Sequence, residues 1–151
     1  MKRDPEKVRA LLSSLARNES TLAGEKSLEK DLGGDVSRST LRRYTDALRR
    51  IHIIDDIPAW HPALRSPVKL RQSAKRHLAD PSLAVALLGA NPESLASDPK
   101  TLGLLFESLV LHDLKVYAAA NDSSVSHYHD ADDLEVDAVI HSAMELGLPW
   151  K

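Results

Sequence analysis

Basic side chains concentrate on one stretch of the chain, and their spacing could bind an anionic partner. Residues 38–51 fit an amphipathic helix that has one apolar stripe and carries five arginines on the rest of its surface. Arginine offers a planar fork that matches phosphates and guanine edges, and a helix fits the major groove of DNA. The side chains that we expect to contact DNA are Arg38, Arg42, Arg43 and Arg49.

Two other interpretations of this arginine-bearing helix stay open. Its polar face could be a solvated surface with internal salt bridges, or it could dock against another protein domain. Asp46 lies between the two rows of arginine, at i,i+4 spacing from Arg42 and Arg50, and this acid weakens the case for strong phosphate binding.

Three carboxylates further along the chain could do a second kind of chemistry. Glu107 lies among leucines in a predicted helix, where an unpaired carboxylate is costly. Glu135 and Asp137 are two residues apart in a predicted strand and should share one face. Magnesium takes oxygen ligands, so these three residues could hold Mg²⁺. Alternatively, Glu107 pairs with a lysine or arginine, and the strand carboxylates face solvent. The residues expected on the opposite strand face are Leu134, Val136, Ala138 and Ile140.

Other chemical signals are weak or absent. His127 and His129 could bind a transition metal such as zinc from one strand face, but no third ligand stands at a clear spacing. The sequence has no Gly-x-x-x-x-Gly-Lys-Ser/Thr, no Gly-x-Gly-x-x-Gly and no Gly-x-Ser-x-Gly. Because these patterns are absent, the sequence gives no sign of an ATP-binding loop, a dinucleotide fold or a hydrolase elbow.

Composition sets the class of protein. The 151 residues are 42% apolar and 28% charged, which is typical of a globular domain with an aliphatic core. The absence of cysteine excludes disulfides, a thiol nucleophile and a thiolate zinc site. No apolar run approaches the ~20 residues of a membrane span, and the N-terminus lacks the apolar block of a signal peptide. We therefore expect a cytoplasmic protein without membrane contact.

Charge is distributed unevenly along the chain. Residues 1–80 hold 17 Lys and Arg against 11 Asp and Glu, a net charge of +6, whereas residues 81–151 hold 3 against 11, a net charge of −8. Such asymmetry often separates two functions. We predict a domain boundary near residue 80.

Capping signals predict most of the helices. Asp4-Pro5, Asp80-Pro81 and Asp98-Pro99 each place a cap before a proline at the first helical position. Ser27 is the predicted N-cap of a short helix that ends at Gly33-Gly34. The helix that begins at Pro99 should run to about Ala120, and it is apolar on nearly every side, which is typical of a buried helix.

Strand signals occupy the remaining stretches. Residues 52–57 and 69–78 are predicted strands on either side of a basic loop. Residues 125–129 and 134–141 are predicted strands joined by an acidic loop. With the preceding helices, the first pair follows the order of a winged helix-turn-helix, in which the basic loop forms the wing.

Several stretches occur together in the order of a known family. They are LEKDLG (28–33), VSRSTLRRY (36–44), ALRRIHII (47–54), PAW (58–60), ADPSLA (79–84), GLLFE (103–107) and LEVDAVI (134–140). Over roughly residues 5–141 they resemble the C-terminal half of bacterial and archaeal AAA-type ATP-binding proteins. In that family, a P-loop ATPase module precedes a winged helix and a domain of unknown function similar to the PD-(D/E)xK nuclease fold.

The resemblance implies an α+β fold, mostly helical. A winged helix-turn-helix would span residues 1–80, and a truncated PD-(D/E)xK-like unit of helix and strands would span residues 81–151. The helix glutamate and strand aspartate of the nuclease-like fold match Glu107 and Asp137, which implies catalytic roles for them in a magnesium-dependent nuclease. A later Glu-x-Lys strand should follow. Here Lys151 falls near the lysine, but Pro149 stands at the glutamate position, and proline cannot donate to an interior ladder.

The incomplete nuclease pattern and the missing ATPase module favour a non-catalytic function. We expect a DNA-binding or regulatory module without a cofactor, with Mg²⁺ needed only in the nuclease interpretation. The alternative is a protein-interaction or dimerisation module. In that case two strands leave an open sheet edge for a partner or a second copy.

Overall fold

The computed structural model describes residues 4–34, 36–60, 73–130 and 134–142. Within these ranges the protein is α+β and mostly helical, as predicted, and its one sheet has two antiparallel strands. None of the helices in these ranges combines the length and apolar character of a membrane span. The elements are α1 (Pro5–Arg17), α2 (Glu25–Asp31), α3 (Arg38–Arg50), α4 (Pro81–Leu88), α5 (Pro92–Ser97), α6 (Pro99–Ala120), β1 (Ser123–His129) and β2 (Glu135–Ser142).

The three predicted cap-and-proline starts are confirmed. The carboxylates of Asp4, Asp80 and Asp98 accept hydrogen bonds from backbone N–H groups in the first turns of α1, α4 and α6, at 3.0, 2.7 and 3.1 Å. Each aspartate satisfies a donor that the helix start would otherwise leave free. These local signals therefore place the helix starts correctly.

The prediction of Ser27 as the cap of α2 is wrong. The helix begins at Glu25, Gly24 is its N-cap, and the Ser27 N–H donates to the Gly24 carbonyl at 3.0 Å. A glutamate in the first turn suits the positive end of a helix dipole. This earlier start also brings the Glu25 side chain to α3.

Residues 52–57 and 73–79 pair only through single antiparallel bridges, so the described part of the chain does not form the continuous strands predicted at 52–57 and 69–78. Ile54 is bridged to Leu78 and Ile57 to Lys75, and Thr21 from the α1–α2 loop is bridged to Arg76. Most of the predicted basic loop, residues 58–68, and the start of the strand predicted at 69–78 lie outside the described residues. The bridges join the chain on either side of that loop. They hold Lys75 where its side chain meets carboxylates of α6 and β2.

Two apolar clusters form the core. The first contains α1, α2 and α3 residues such as Leu11, Leu28 and Leu41, together with Ala84 of α4 and Leu105 of α6. The second contains Ile57, Leu111, Ala118 and Val125, with Leu114 and Ala138 packed against them. The first cluster thus crosses residue 80, and the domain boundary there stays a prediction.

Helix α6 is buried on one side only, so the prediction of an all-round buried helix is wrong. Leu105, Leu111 and Ala118 are buried, whereas Phe106 and Tyr117 are each 64% exposed. The helix packs on α4, α5 and the sheet with one face, and no described element covers the opposite face. The apolar residues on that opposite face therefore have no partner in the described part of the chain.

Strand β2 contains a bulge that breaks the predicted alternation. Ser126 pairs with Val139 and Tyr128 with Val136, so four residues of β2 lie opposite three residues of β1. An extra residue places two successive side chains toward one face. Asp137 consequently reaches Lys75 while Ala138 packs in the second core cluster. The prediction that Ala138 points away from the Asp137 face is therefore wrong.

Candidate functional site

The three predicted carboxylates meet around one buried lysine. The Lys75 ammonium lies 2.7 Å from Glu107 Oε1, 2.8 Å from Glu135 Oε1 and 2.6 Å from Asp137 Oδ1. Only 3% of the Lys75 side chain is exposed. We call these four residues the lysine cluster.

Separate elements position the members of the lysine cluster. Lys75 lies where the chain is bridged to Ile57, through two backbone hydrogen bonds of 2.9 Å. Glu107 lies on α6, and Glu135 and Asp137 lie on β2, on either side of Val136. The cluster therefore joins three segments that are distant in sequence.

The charges of the lysine cluster are strongly coupled. Burial alone would lower the pKa of Lys75, but its contacts with Asp137, Glu107 and Glu135 outweigh burial and raise that pKa above its ordinary value. Burial raises the pKa of Glu107, and the nearby Lys75 ammonium opposes this effect. One ammonium faces three carboxylates, so the fully ionised cluster carries a charge of −2.

The side chains of the lysine cluster do not fit a magnesium ion as they lie. All three carboxylates are directed at the ammonium, which stands where a shared cation would be bound. Among the described residues, no three His, Asp or Glu side chains are placed to hold a metal ion. The catalytic and metal roles of Glu107, Glu135 and Asp137 therefore stay predictions. Lys151 lies outside the described residues.

The two histidines on β1 have different surroundings. His127 is 1% exposed, and its Nε2 lies 3.1 Å from the Ser73 carbonyl oxygen. Burial lowers the pKa of His127, which favours the neutral ring. His129 is only partly buried. The zinc interpretation stays a prediction, because within the described ranges no third ligand joins this pair.

Sequence reasoning missed a second buried polar centre at Glu19. Its side chain is 3% exposed and accepts hydrogen bonds from the Leu78 backbone N–H at 3.1 Å and from the Ser108 hydroxyl at 2.7 Å. His77 Nδ1 lies 3.3 Å from the same carboxylate. Neither Glu19 nor Lys75 belongs to a local motif, so no signal along the chain singles them out.

The predicted arginines lie along α3, and most of them are paired. Glu25 accepts a hydrogen bond from Arg42 Nε at 2.9 Å and one from Arg38 Nε at 3.2 Å. Arg49 contacts Asp46 at 3.3 Å and Asp56 at 2.9 Å. We call Arg38, Arg42, Arg43 and Arg49 the arginine face.

Arg43 differs from the other members of the arginine face. It is exposed and makes no ion pair with any described residue. Arg38 and Arg42 keep 50% and 61% of their side chains exposed despite their contacts with Glu25. The arginine face is therefore a solvent-facing cationic surface, with Asp46 between its rows of arginine and with Glu25 and Asp56 paired to its members.

The fold and these two sites define a mostly helical α+β protein with an exposed arginine face and a buried lysine cluster. The chain belongs to the family described as domain of unknown function DUF8612, which matches residues 1–94. The matched segment includes the arginine face and Lys75, and it ends before α6 and the sheet. Neither the curated proteins nor the solved structures gave a match.

Replacing Lys75 by methionine tests the lysine cluster. Lys75→Met keeps an unbranched side chain but leaves three carboxylates without their shared ammonium. We expect the free energy of unfolding to fall by about 3 kcal/mol, at the low end for a broken buried pair because Glu135 and Asp137 remain partly solvated. Urea denaturation at neutral pH measures this loss. Lys30→Met, at an exposed lysine without a described ion pair, should change stability by less than about 0.5 kcal/mol.

The lysine cluster also predicts a pH dependence. The pKa of Lys75 is raised in the folded protein above its ordinary value of 10.5, so its stabilising contribution is complete below that value. The contribution is lost as pH rises through the higher folded pKa. We expect the stability difference between wild type and Lys75→Met to stay constant from about pH 8 to 10 and to shrink above about pH 10.5. A difference that grows at alkaline pH, in urea titrations of both proteins, would contradict this assignment.

Proposed function

We propose that the N-terminal part of the chain is a winged helix that binds DNA through α3. The observation that carries this proposal is the arginine face, which presents several guanidinium groups to solvent on one helix. Phosphate contacts from arginine supply most of the sequence-independent affinity of DNA-binding proteins. A helix of this size fits the major groove.

The arrangement of the elements supports the winged-helix assignment. Helix α1 is followed by Thr21, which is bridged to Arg76, then by α2 and α3, and then by the bridged segments that contain Ile54 and Leu78. This is the order of a winged helix, in which three short strand segments close over the helices. The proposed wing is the loop between the two predicted strands, residues 58–68, which carries Arg65 and is followed in the sequence by Lys69 and Arg71.

The acidic partners of the arginine face do not block it. Glu25 is bonded to the Nε atoms of Arg38 and Arg42, and the terminal amino groups of these arginines make no hydrogen bond with a described residue. Exposed ion pairs contribute only about 0–1 kcal/mol. A phosphate or a guanine edge can therefore replace or join the carboxylate at a small free-energy cost.

The charge distribution along the chain agrees with this role. Residues 1–80 carry a net charge of +6. The resemblance to the C-terminal half of AAA-type ATP-binding proteins fits as well, because a winged helix is part of that half. We propose a binding or regulatory role for the module and no catalytic step.

Removing two arginines tests DNA binding directly. Arg42→Ala/Arg43→Ala should weaken binding to a labelled duplex by about 10-fold or more at ~50 mM salt, because two phosphate or base contacts are lost. The wild-type affinity should fall steeply between ~50 and ~200 mM salt, and the variant should show a shallower dependence. Fluorescence anisotropy measures both effects.

A matched double variant controls for the lost charge. Arg9→Ala/Lys100→Ala removes the same charge from two exposed positions on α1 and α6. It should bind the duplex nearly as well as wild type. Equal weakening in the two variants would show that net charge matters and the arginine face does not. Absence of wild-type binding at ~50 mM salt would end the DNA-binding proposal.

Neutralising Glu25 should strengthen DNA binding. Glu25→Gln removes the carboxylate that competes with phosphates for Arg38 and Arg42, so we expect the dissociation constant to fall roughly 2- to 5-fold at low salt. Glu29→Gln makes the same charge change on α2, at a residue without a described ion pair, and should have a smaller effect. If Glu25→Gln binds less tightly than wild type, the carboxylate orients the two arginines and does not compete for them.

A further inference from the structure

Asp46 is the only acidic residue of α3, and it lies in the middle of the exposed side of that helix. Counted at about 100° per residue, it lies about 140–160° around the helix axis from each of the buried residues Leu41, Tyr44 and Leu48. Its side chain is 64% exposed. The carboxylate therefore points away from the core, on the side of α3 that would enter a DNA groove.

A chain of ion pairs connects Asp46 to the interior of the protein. Arg49 Nη1 lies 3.3 Å from Asp46 Oδ1, and Arg49 Nη2 lies 2.9 Å from Asp56 Oδ2. The same Asp56 oxygen lies 2.8 Å from Arg76 Nη1, and the side chains of Asp56 and Arg76 are only 10% and 11% exposed. Arg49 is thus held by a nearly buried ion pair at one amino group, and with the other it orients the exposed carboxylate of Asp46.

One oxygen of Asp46 stays available for a ligand. Arg49 donates to Oδ1, and Oδ2 makes no hydrogen bond with a residue in the described ranges. A carboxylate oxygen can accept a hydrogen bond but cannot donate one. Arg42 and Arg43 are exposed one helical turn before Asp46. A fixed acceptor therefore lies among the donors of the arginine face.

An acceptor in this position suits a base better than a phosphate. A carboxylate and a phosphate repel each other because their charges have the same sign. In the major groove, cytosine offers its N4 amino group as a donor, whereas guanine and thymine offer only acceptors as polar groups. Adenine offers a donor beside an acceptor, and a carboxylate can pair only with the donor. Cytosine is therefore the base that matches the Asp46 carboxylate best.

We propose that Asp46 is a specificity-determining residue that accepts a hydrogen bond from the amino group of a cytosine in the major groove, and that Arg49 positions it. This inference rests on the proposed DNA binding by α3. Phosphate contacts from the arginine face fix the helix on the duplex but carry no sequence information. The single acid adds selectivity for one C·G base pair.

Selection from a pool of random duplexes, followed by fluorescence anisotropy on single duplexes, tests this role. The wild type should select a C·G pair at one position, and exchange of that pair for any of the other three should weaken binding about 5-fold or more. Asp46→Ala should bind all four duplexes nearly equally. Its affinity for unselected DNA should not fall, because the variant lacks a charge that repels phosphates.

Asp46→Asn changes the chemistry of the side chain and keeps its shape. The amide offers a donor as well as an acceptor, which is the pattern that pairs with N6 and N7 of adenine. The preferred base at the same position should therefore change from cytosine to adenine, a change that a merely structural role of Asp46 would not produce. Asp113→Asn, at an exposed acid of α6 without a described ion pair, is the matched control and should keep the wild-type preference.

Arg49→Ala tests the positioning role. The variant leaves Asp46 without its contact at Oδ1, so discrimination at the base pair that Asp46 reads should weaken. Relative preferences at the other positions of the selected site should stay as in the wild type. A loss of affinity that is equal for all four bases at the Asp46 position would assign Arg49 to phosphate contact alone and overturn its positioning role.

Three results would overturn the role of Asp46 and leave the proposed DNA binding intact. They are a wild type that binds duplexes without any preference, a preference that both Asp46 variants keep, and a wild type that prefers a base other than cytosine at the position where the Asp46 variants change the preference. Absence of wild-type binding to any duplex at ~50 mM salt is a separate outcome, because it would end the proposed function and this inference together.

Discussion

The Lys75 ammonium lies almost entirely out of contact with water, and an isolated charge in that position would be costly. The carboxylates of Glu107, Glu135 and Asp137 surround it, and they come from α6 and β2, far along the chain from Lys75. The position of β2 against the bridged segment therefore depends on this one group. The bulge in β2 serves the same contact, because it lets Asp137 reach the ammonium while Ala138 still packs in the core.

Glu19 is a second buried side chain that joins distant segments, and it lies at the first apolar cluster as Lys75 lies at the second. Its buried carboxylate receives the Leu78 backbone N–H and the Ser108 hydroxyl, and so it ties the end of α1 to the bridged segment and to α6. Buried polar groups need such partners, and satisfied networks favour one arrangement over its competitors. Together, the two centres hold α6 against the N-terminal helices with one face, and they leave its opposite face open.

The two exposed helix surfaces, on α3 and α6, differ in chemistry. The arginine face on α3 is cationic and contains one acid, Asp46, whereas the exposed face of α6 is mostly apolar. Because α6 and β2 contribute to the lysine cluster, the acidic half of the chain is partly neutralised by a residue of the basic half. The family match ends at residue 94, so the arginine face belongs to the family segment and α6 does not.

Local signals were sufficient for most of the secondary structure. The aspartate-proline pairs at residues 4, 80 and 98 determine helix starts, because a capping carboxylate and a preset proline dihedral act within one turn. The α+β class, the two strands and the arginine-bearing helix follow from the same short-range patterns. The sequence also singled out Glu107, Glu135 and Asp137, since acids among apolar residues are conspicuous.

Tertiary structure decided what those residues contact. Lys75 and Glu19 have no local signature, and only folding brings them to partners some 30 to 90 residues away. The bulge in β2 and the one-sided burial of α6 likewise depend on which element packs against which. Burial, ion pairing and the register of strands are properties of pairs of distant segments, and the order of residues along one segment does not specify them.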